Sequence, residues 1–250
     1  MEDAMIRIST SEARCSHDPQ TSCGTCRLNT LCLPLSLHLE DVDQLNQIVQ
    51  RGRPLHRGEH LYRAGEPFGS LFAIRSGAVK ASTLNEQGEE QVTGFYLPGE
   101  LVGLDGIAEN RYTNTVVALE TSSVCEIPFD EMESLSLKIP SLQRNVFQLL
   151  SREITQDQQL IGLLSKSSAE ERVATLLLSL SNRHQRRKLS ATEFRLPMSR
   201  TDIGNFLGLT IETISRVFSR LQQQGVLAVD KKEVRILDMT QLRALASLRH

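Results

Sequence analysis

Between residues 141 and 165 the chain repeats at steps of four and three: Gln143, Phe147, Leu150, Ile154, Asp157, Ile161 and Leu164. That spacing lays one stripe along a long helix, the seam by which two helices pair side by side. The stripe is covered either by the chain's own core, with Asp157 turned to solvent, or by a second copy of itself. In a symmetric pair Asp157 faces its own copy. Two carboxylates about 4 Å apart repel by roughly 1 kcal/mol in water and about 4 kcal/mol at an effective dielectric of 20. The seam therefore predicts a dimer interface held close to its tipping point.

A chain of 250 residues has room for two ordinary domains. The opening MEDAMIRIST carries early acids and no apolar run, so no signal peptide is expected. No apolar stretch reaches the length of a membrane span, and the expected location is the cytoplasm, with no membrane partner. The net charge of −2 hides an asymmetry. Residues 167–250 hold 14 Lys/Arg against 8 Asp/Glu, while residues 1–166 hold 14 against 22. A basic C-terminal third on an acidic body suggests that this third meets a polyanion.

Four of the five cysteines fall between positions 15 and 32. In a chain without a secretory signal such a cluster reads as a metal or redox site before a disulfide framework. Cys23 and Cys26 form a Cys-x2-Cys pair, Gly24 gives the chain a tight bend between them, and Cys32 follows after five residues. Three chemistries compete. Structural zinc wants a second ligand pair at similar spacing, and none is found. A dithiol redox pair needs only Cys23 and Cys26. An iron–sulfur cluster wants a fourth thiolate, for which Cys125 is the distant candidate; its rival reading is a small buried hydrophobe in the strand Ser123–Ile127.

Residues 40–50 have helical spacing through Val42, Leu45, Ile48 and Val49. From 53 to 130 short strand-like runs (Leu71–Ile74, Val79–Thr83, Gln91–Phe95, Val116–Leu119) alternate with glycine turns, the pattern of an all-β roll or barrel. Asp130–Leu137 is helical again, and Pro140 sits at the entrance to the seam helix, where a missing N–H costs little. Ser168 and Glu171 make a capping box for a further helix. The basic run Arg183-His-Gln-Arg-Arg-Lys188 reads as a solvated loop.

Met198–Gly225 is the most specific stretch. Ser199 and Asp202 cap a short helix containing Ile203, Phe206 and Leu207, Gly208 breaks it, and Thr210 caps a second helix, Ile211–Gln224. Ile214, Val217 and Leu221 point inward. This is a helix-turn-helix, whose second helix begins in the DNA major groove. Its outward face carries Glu212, Ser215 and Arg216: Glu can accept from cytosine, Arg can fork onto guanine, and Ser can bond either edge. Val226–Val229 and Val234–Leu237 then flank Asp230-Lys-Lys-Glu as a wing, with Lys231 and Lys232 placed for phosphates.

Taken in order, these segments resemble the CRP/FNR family of bacterial transcription regulators over nearly the whole chain, and most closely its oxygen-sensing FNR type. The likeness is carried by Cys23-x2-Cys26-x5-Cys32, Val124-Cys-Glu-Ile-Pro128, the run 163–172 (LLSKSSAEER) and the run 208–216 (GLTIETISR). It implies an α+β fold with four parts: a cluster-binding segment (1–34), a cyclic-nucleotide-binding-like β-roll (35–140), a dimerisation helix (141–166) and a winged helix-turn-helix (167–250). It implies that Cys23, Cys26, Cys32 and Cys125 hold a 4Fe-4S cluster that oxygen destroys, and that cluster loss returns the dimer to monomers. It implies half-sites of the TTGAT type read by Glu212, Ser215 and Arg216. It also implies that the turn Leu84, Asn85, Glu86, Gly88, Glu89 and Glu90 contacts RNA polymerase. The departures matter as well. Relatives that bind cyclic nucleotides use a Glu and an Arg on the phosphate; aligned through Gly99–Gly103, those positions are Leu104 and, at or near it, Asn114, so no cyclic-nucleotide ligand is expected. Cys15 reads as a spare thiol and His17 as exposed loop. The chain has no Rossmann fingerprint, P-loop or catalytic triad, and is not expected to be an enzyme.

Overall fold

Strand β3 (Ser70–Ser76) explains the N-terminal half, because it is buried on both faces. Leu71 and Ala73 point one way, into a core with Leu45, Leu101, Ile127, Met132 and Leu142. Phe72 and Ile74 point the other way, into the roll with Tyr62, Val79, Tyr112 and Val116. Side chains alternate across a strand, so a strand covered twice is apolar throughout. The computed structural model describes residues 22–35, 37–166 and 168–246; residues 1–14, Cys15 and His17 lie outside the described residues.

Two antiparallel four-stranded sheets face each other. The first runs β1 (Gln50–Arg51), β8 (Ser123–Pro128), β3 and β6 (Leu101–Val102); the second runs β2 (His60–Tyr62), β7 (Thr115–Ala118), β4 (Val79–Leu84) and β5 (Glu90–Tyr96). Three short strands, β1, β2 and β6, had no sequence signal of their own. Helix α1 (Leu39–Ile48) precedes the roll, and α2 (Phe129–Lys138) follows it.

The seam helix α3 spans Pro140–Lys166. Its first turns bury Leu142 and Asn145 against the roll. The stripe itself is uncovered: Phe147, Ile154 and Ile161 are 61%, 59% and 67% exposed, seven residues apart, and Gln143 and Asp157 are exposed beside them. Leu150 and Leu164 are half-buried. The single chain thus leaves its seam open and does not use it as a core, and Asp157 lies on that open face.

The C-terminal part is built on α4 (Ala169–Arg186), opened by the Ser168–Glu171 capping box. Helices α6 (Ile211–Gln223) and α7 (Met239–Leu245) pack on it, and α5 (Arg200–Leu207) packs on α6 and β5. A three-stranded wing, in the order β10 (Leu227–Asp230), β11 (Glu233–Ile236), β9 (Glu193–Arg195), includes one strand, β9, that the two-stranded reading missed. Arg172 donates to the carbonyls of Leu164 at 2.7 Å and Leu207 at 2.9 Å, satisfying the open C-terminal ends of α3 and α5.

The basic run 183–188 is not a solvated loop. Arg183 and Arg187 lie at the end of α4 and turn onto Glu100 of the roll, Arg187 at 2.6 Å. Burial pushes the Glu100 carboxyl up, but the two guanidinium groups outweigh it and hold it below the usual range. Asp202 takes Lys80 of β4 at 2.9 Å, and Asn205 bonds into the edge of β5 through Val92 N–H and the Glu90 carbonyl. Phe95 and Phe206 pack across the same boundary. The helix-turn-helix is therefore fixed to the roll by ion pairs, backbone bonds and a shared core.

Candidate functional site: a thiol cavity and a reading helix

The segment 22–35 folds back through successive turns, with Cys32 N–H donating to Leu28 O at 2.9 Å and Leu35 N–H to Cys32 O at 3.1 Å. Gly24 is not in the left-handed region, and a methyl there would meet only ordinary contacts, the nearest Val42 Cγ1 at 3.8 Å; the bend does not depend on it. Asn46 of α1 pins the segment by accepting the Cys23 N–H at 2.9 Å. The consequence is that Cys23, Cys26 and Cys32 line a cavity of about 40 Å³ whose far wall is Cys125 of β8. That space exceeds the roughly 10–15 Å³ one water needs. All four thiols are free.

Among the described residues no three Cys, His, Asp or Glu side chains gather closely enough to hold a single metal ion. The thiols are spread around a space. Four thiols are a soft donor set, of the chemistry that holds zinc or an iron–sulfur cluster. Burial pushes the Cys23 thiol up to about 11 and Cys32 up to about 12, and raises Cys125. In the metal-free chain these groups are neutral thiols. A metal that deprotonates them has that desolvation cost to overcome. Arg51 opposes it, with its guanidinium 3.7 Å from Cys23 Sγ.

The cavity is joined to the seam helix. The buried Asn145 side chain in the second turn of α3 donates to the carbonyls of both Leu33, at 3.2 Å, and Leu35. Those are the residues just past Cys32. Neither Asn145 nor Asn46 nor Arg51 stood out in the sequence, because the cysteine-segment partner of each lies more than twenty residues away in the chain.

At the other end, α5 and α6 meet at a turn that glycine makes possible. A methyl on Gly204 would lie 2.6 Å from the Leu209 carbonyl, and Gly208 has φ of 63°. Thr210 accepts the Thr213 N–H at 3.2 Å and caps α6. Ile214, Val217 and Leu221 are buried, while Glu212, Ser215 and Arg216 are exposed on one face. Arg216 lies along its own helix, its Nε 3.4 Å from the Glu212 carbonyl and its Nη2 3.5 Å from Thr213 Oγ1. These long contacts are cheap to exchange for a base edge. In the wing, Lys231 is exposed, but Lys232 donates to the Pro197 carbonyl at 2.7 Å. That bond uses one of the three N–H donors of the Lys232 ammonium.

The turn 84–90 projects from the β4–β5 hairpin. Asn85 Oδ1 accepts the N–H groups of Gln87 and Glu89, and Leu84 at its edge is 71% exposed. Glu90 is engaged: its carboxylate takes Lys80 at 2.9 Å. Between β6 and β7 of the roll, Asp105 follows Leu104 in a short 3-10 turn. A single oxygen of it accepts from Thr113 N at 2.9 Å, Thr113 Oγ1 at 2.8 Å and Asn114 N at 3.0 Å. Among the described residues no helix is long and apolar enough to cross a membrane.

Comparison with known proteins agrees with this layout. Residues 52–138 match the cyclic nucleotide-binding domain, and residues 171–245 match the Crp-like helix-turn-helix domain. The chain is 56% identical to the transcriptional activator protein anr of Pseudomonas aeruginosa, covering 91% of this chain and 93% of that protein. It is 49% identical to an anaerobic regulatory protein of Pasteurella multocida, covering 90% and 82%. The structure of FixK2 from Bradyrhizobium japonicum superposes with a TM-score of 0.75 at 28% identity, covering 81% of this chain and all of that one. With a roll, a long helix and a DNA-binding helix-turn-helix in this order, the chain belongs to the CRP/FNR family of bacterial transcription regulators, on the branch of the FNR and Anr activators.

Proposed function

We propose that this chain is an oxygen-responsive transcription regulator in which Cys23, Cys26, Cys32 and Cys125 hold a 4Fe-4S cluster. The observation that carries this reading is the meeting of four thiols, from one N-terminal loop and one distant strand, around a single cavity beside a half-buried Arg51. When bound, the cluster supplies an oxygen-labile cross-link between the loop and β8.

The chain's own residues do the rest. Asn145 passes the order of the loop to the first turns of α3. The open stripe of Phe147, Leu150, Ile154, Ile161 and Leu164 then pairs with a second copy. Burying each of the exposed apolar side chains is worth about 1.5–3 kcal/mol. The facing Asp157 carboxylates oppose pairing by about 1–4 kcal/mol. Association itself costs about 4–15 kcal/mol, so gain and cost nearly cancel and a few kcal/mol of loop order decides whether the pair forms. Pairing sets two α6 helices one DNA turn apart, about 34 Å, so the dimer reads a palindrome of TTGAT type through Glu212, Ser215 and Arg216. The turn 84–90 is the surface offered to RNA polymerase, for activation or repression of anaerobic metabolism genes. The four parts, 1–34, 35–140, 141–166 and 167–250, then act as sensor, scaffold, coupler and reader. Leu104 and Asn114 stand where relatives that bind cyclic nucleotides carry Glu and Arg, which supports a roll without a cyclic nucleotide.

Anaerobic purification should give a brown protein with about four irons and about four sulfides per chain. Air should bleach it, return it to monomers and release its operator. Equal pairing and equal operator binding with and without iron would end the reading.

A further inference from the structure

Arg51 has more donors than the protein satisfies. It sits in β1 directly across from Cys125 of β8. Its Nη2 reaches Asn46 Oδ1 at 2.6 Å and Cys23 Sγ at 3.7 Å, and its Nη1 reaches the Val49 carbonyl at 3.3 Å. Its Nε is buried and has no partner; among the described side chains only Ser76 Oγ shares that condition. Asn46 Oδ1 also takes the Cys23 N–H, so one amide fixes both the guanidinium and the first thiol. A buried N–H on a charged group is costly until something accepts it. The side chain lines the cavity that the four cysteines surround.

We propose that Arg51 is a positioning residue for the inorganic group in that cavity, supplying a fixed counter-charge and one uncommitted N–H to its sulfur atoms. The proposal depends on the cluster reading above. Thiolates and sulfide around iron carry net negative charge. Hydrogen bonds and charge near the sulfurs are the means by which a protein sets how firmly such a group is held. The planar fork of arginine does both at once, whereas lysine supplies only the charge.

The test uses the full chain, purified without oxygen, as wild type, Arg51→Met and Arg51→Lys. Iron and sulfide are counted, and the loss of visible absorbance to an iron chelator is timed under nitrogen. All three should load. Arg51→Met should bleach about tenfold faster than wild type, the loss expected for one charged hydrogen bond, with Arg51→Lys between them. The metal-free Met variant should melt no lower than metal-free wild type, because it removes an unsatisfied donor. Equal bleaching in a loaded wild type and both variants overturns the role of Arg51 and leaves the cluster reading standing. So does a lower metal-free melt with unchanged bleaching, which marks a structural staple. If Arg51→Met does not fold, Arg51→Lys decides: bleaching at the wild-type rate removes the role of the N–H. A wild type without iron and sulfide overturns both readings.

Discussion

The reading helix and the thiol cavity are built on opposite principles. The contacts that set the caps and the turn of α5 and α6 are short in sequence: Ser199 with Asp202, Thr210 with Thr213, the Gly204 and Gly208 turn. Their functional face is exposed and makes only local bonds. The cavity draws on residues from the loop, α1, β1, β3 and β8, and one atom of its lining, Arg51 Nε, is buried without a partner. A reader that must meet every operator alike profits from being finished in advance. A sensor profits from being incomplete, because only an unfinished site changes when something fills it or leaves.

That contrast can be broken most decisively at Cys125. Cys125→Ala should abolish iron and sulfide retention and all anaerobic operator binding, while the purified variant keeps its fold by circular dichroism. If the loop cysteines alone keep the protein brown, the distant wall is not part of the site. A smaller effect is expected midway, at the seam. Asp157→Ala should pair and bind DNA in air, with dimer affinity raised about tenfold to about a thousandfold, depending on how dry the seam is. Sedimentation in air would measure it, and a variant that stays monomeric removes the repulsion account. The smallest effect belongs to the finished end. Arg216→Ala should cost about 1–3 kcal/mol per half-site at one base position and leave the dimer untouched. A uniform loss across all sequences would mean that Arg216 holds phosphate and does not read a base.

The same division explains what could be read from the chain. Caps, turns and the apolar face of α6 lie within a few residues of one another, and they were legible. So was the seam, since its stripe needs no partner from elsewhere in the chain. The charge run at 183–188 was misread because its meaning lies in Glu100, 83 and 87 residues earlier. The bond of Lys232 to Pro197, 35 residues away, had no local signal either. Arg51, Asn46 and Asn145 carried no local pattern at all. A cysteine pair announces itself by spacing, while the arginine and amides that surround it are ordinary until the fold brings them close.

Asp105 has a consequence of its own. The Thr113 and Asn114 amides already hold a carboxylate of the chain itself, tethered to the backbone. An arginine placed at position 114 would therefore meet this tenant first and neutralise it, without inviting a guest. To turn such a roll back into a receptor for a second messenger, eviction has to come before recruitment.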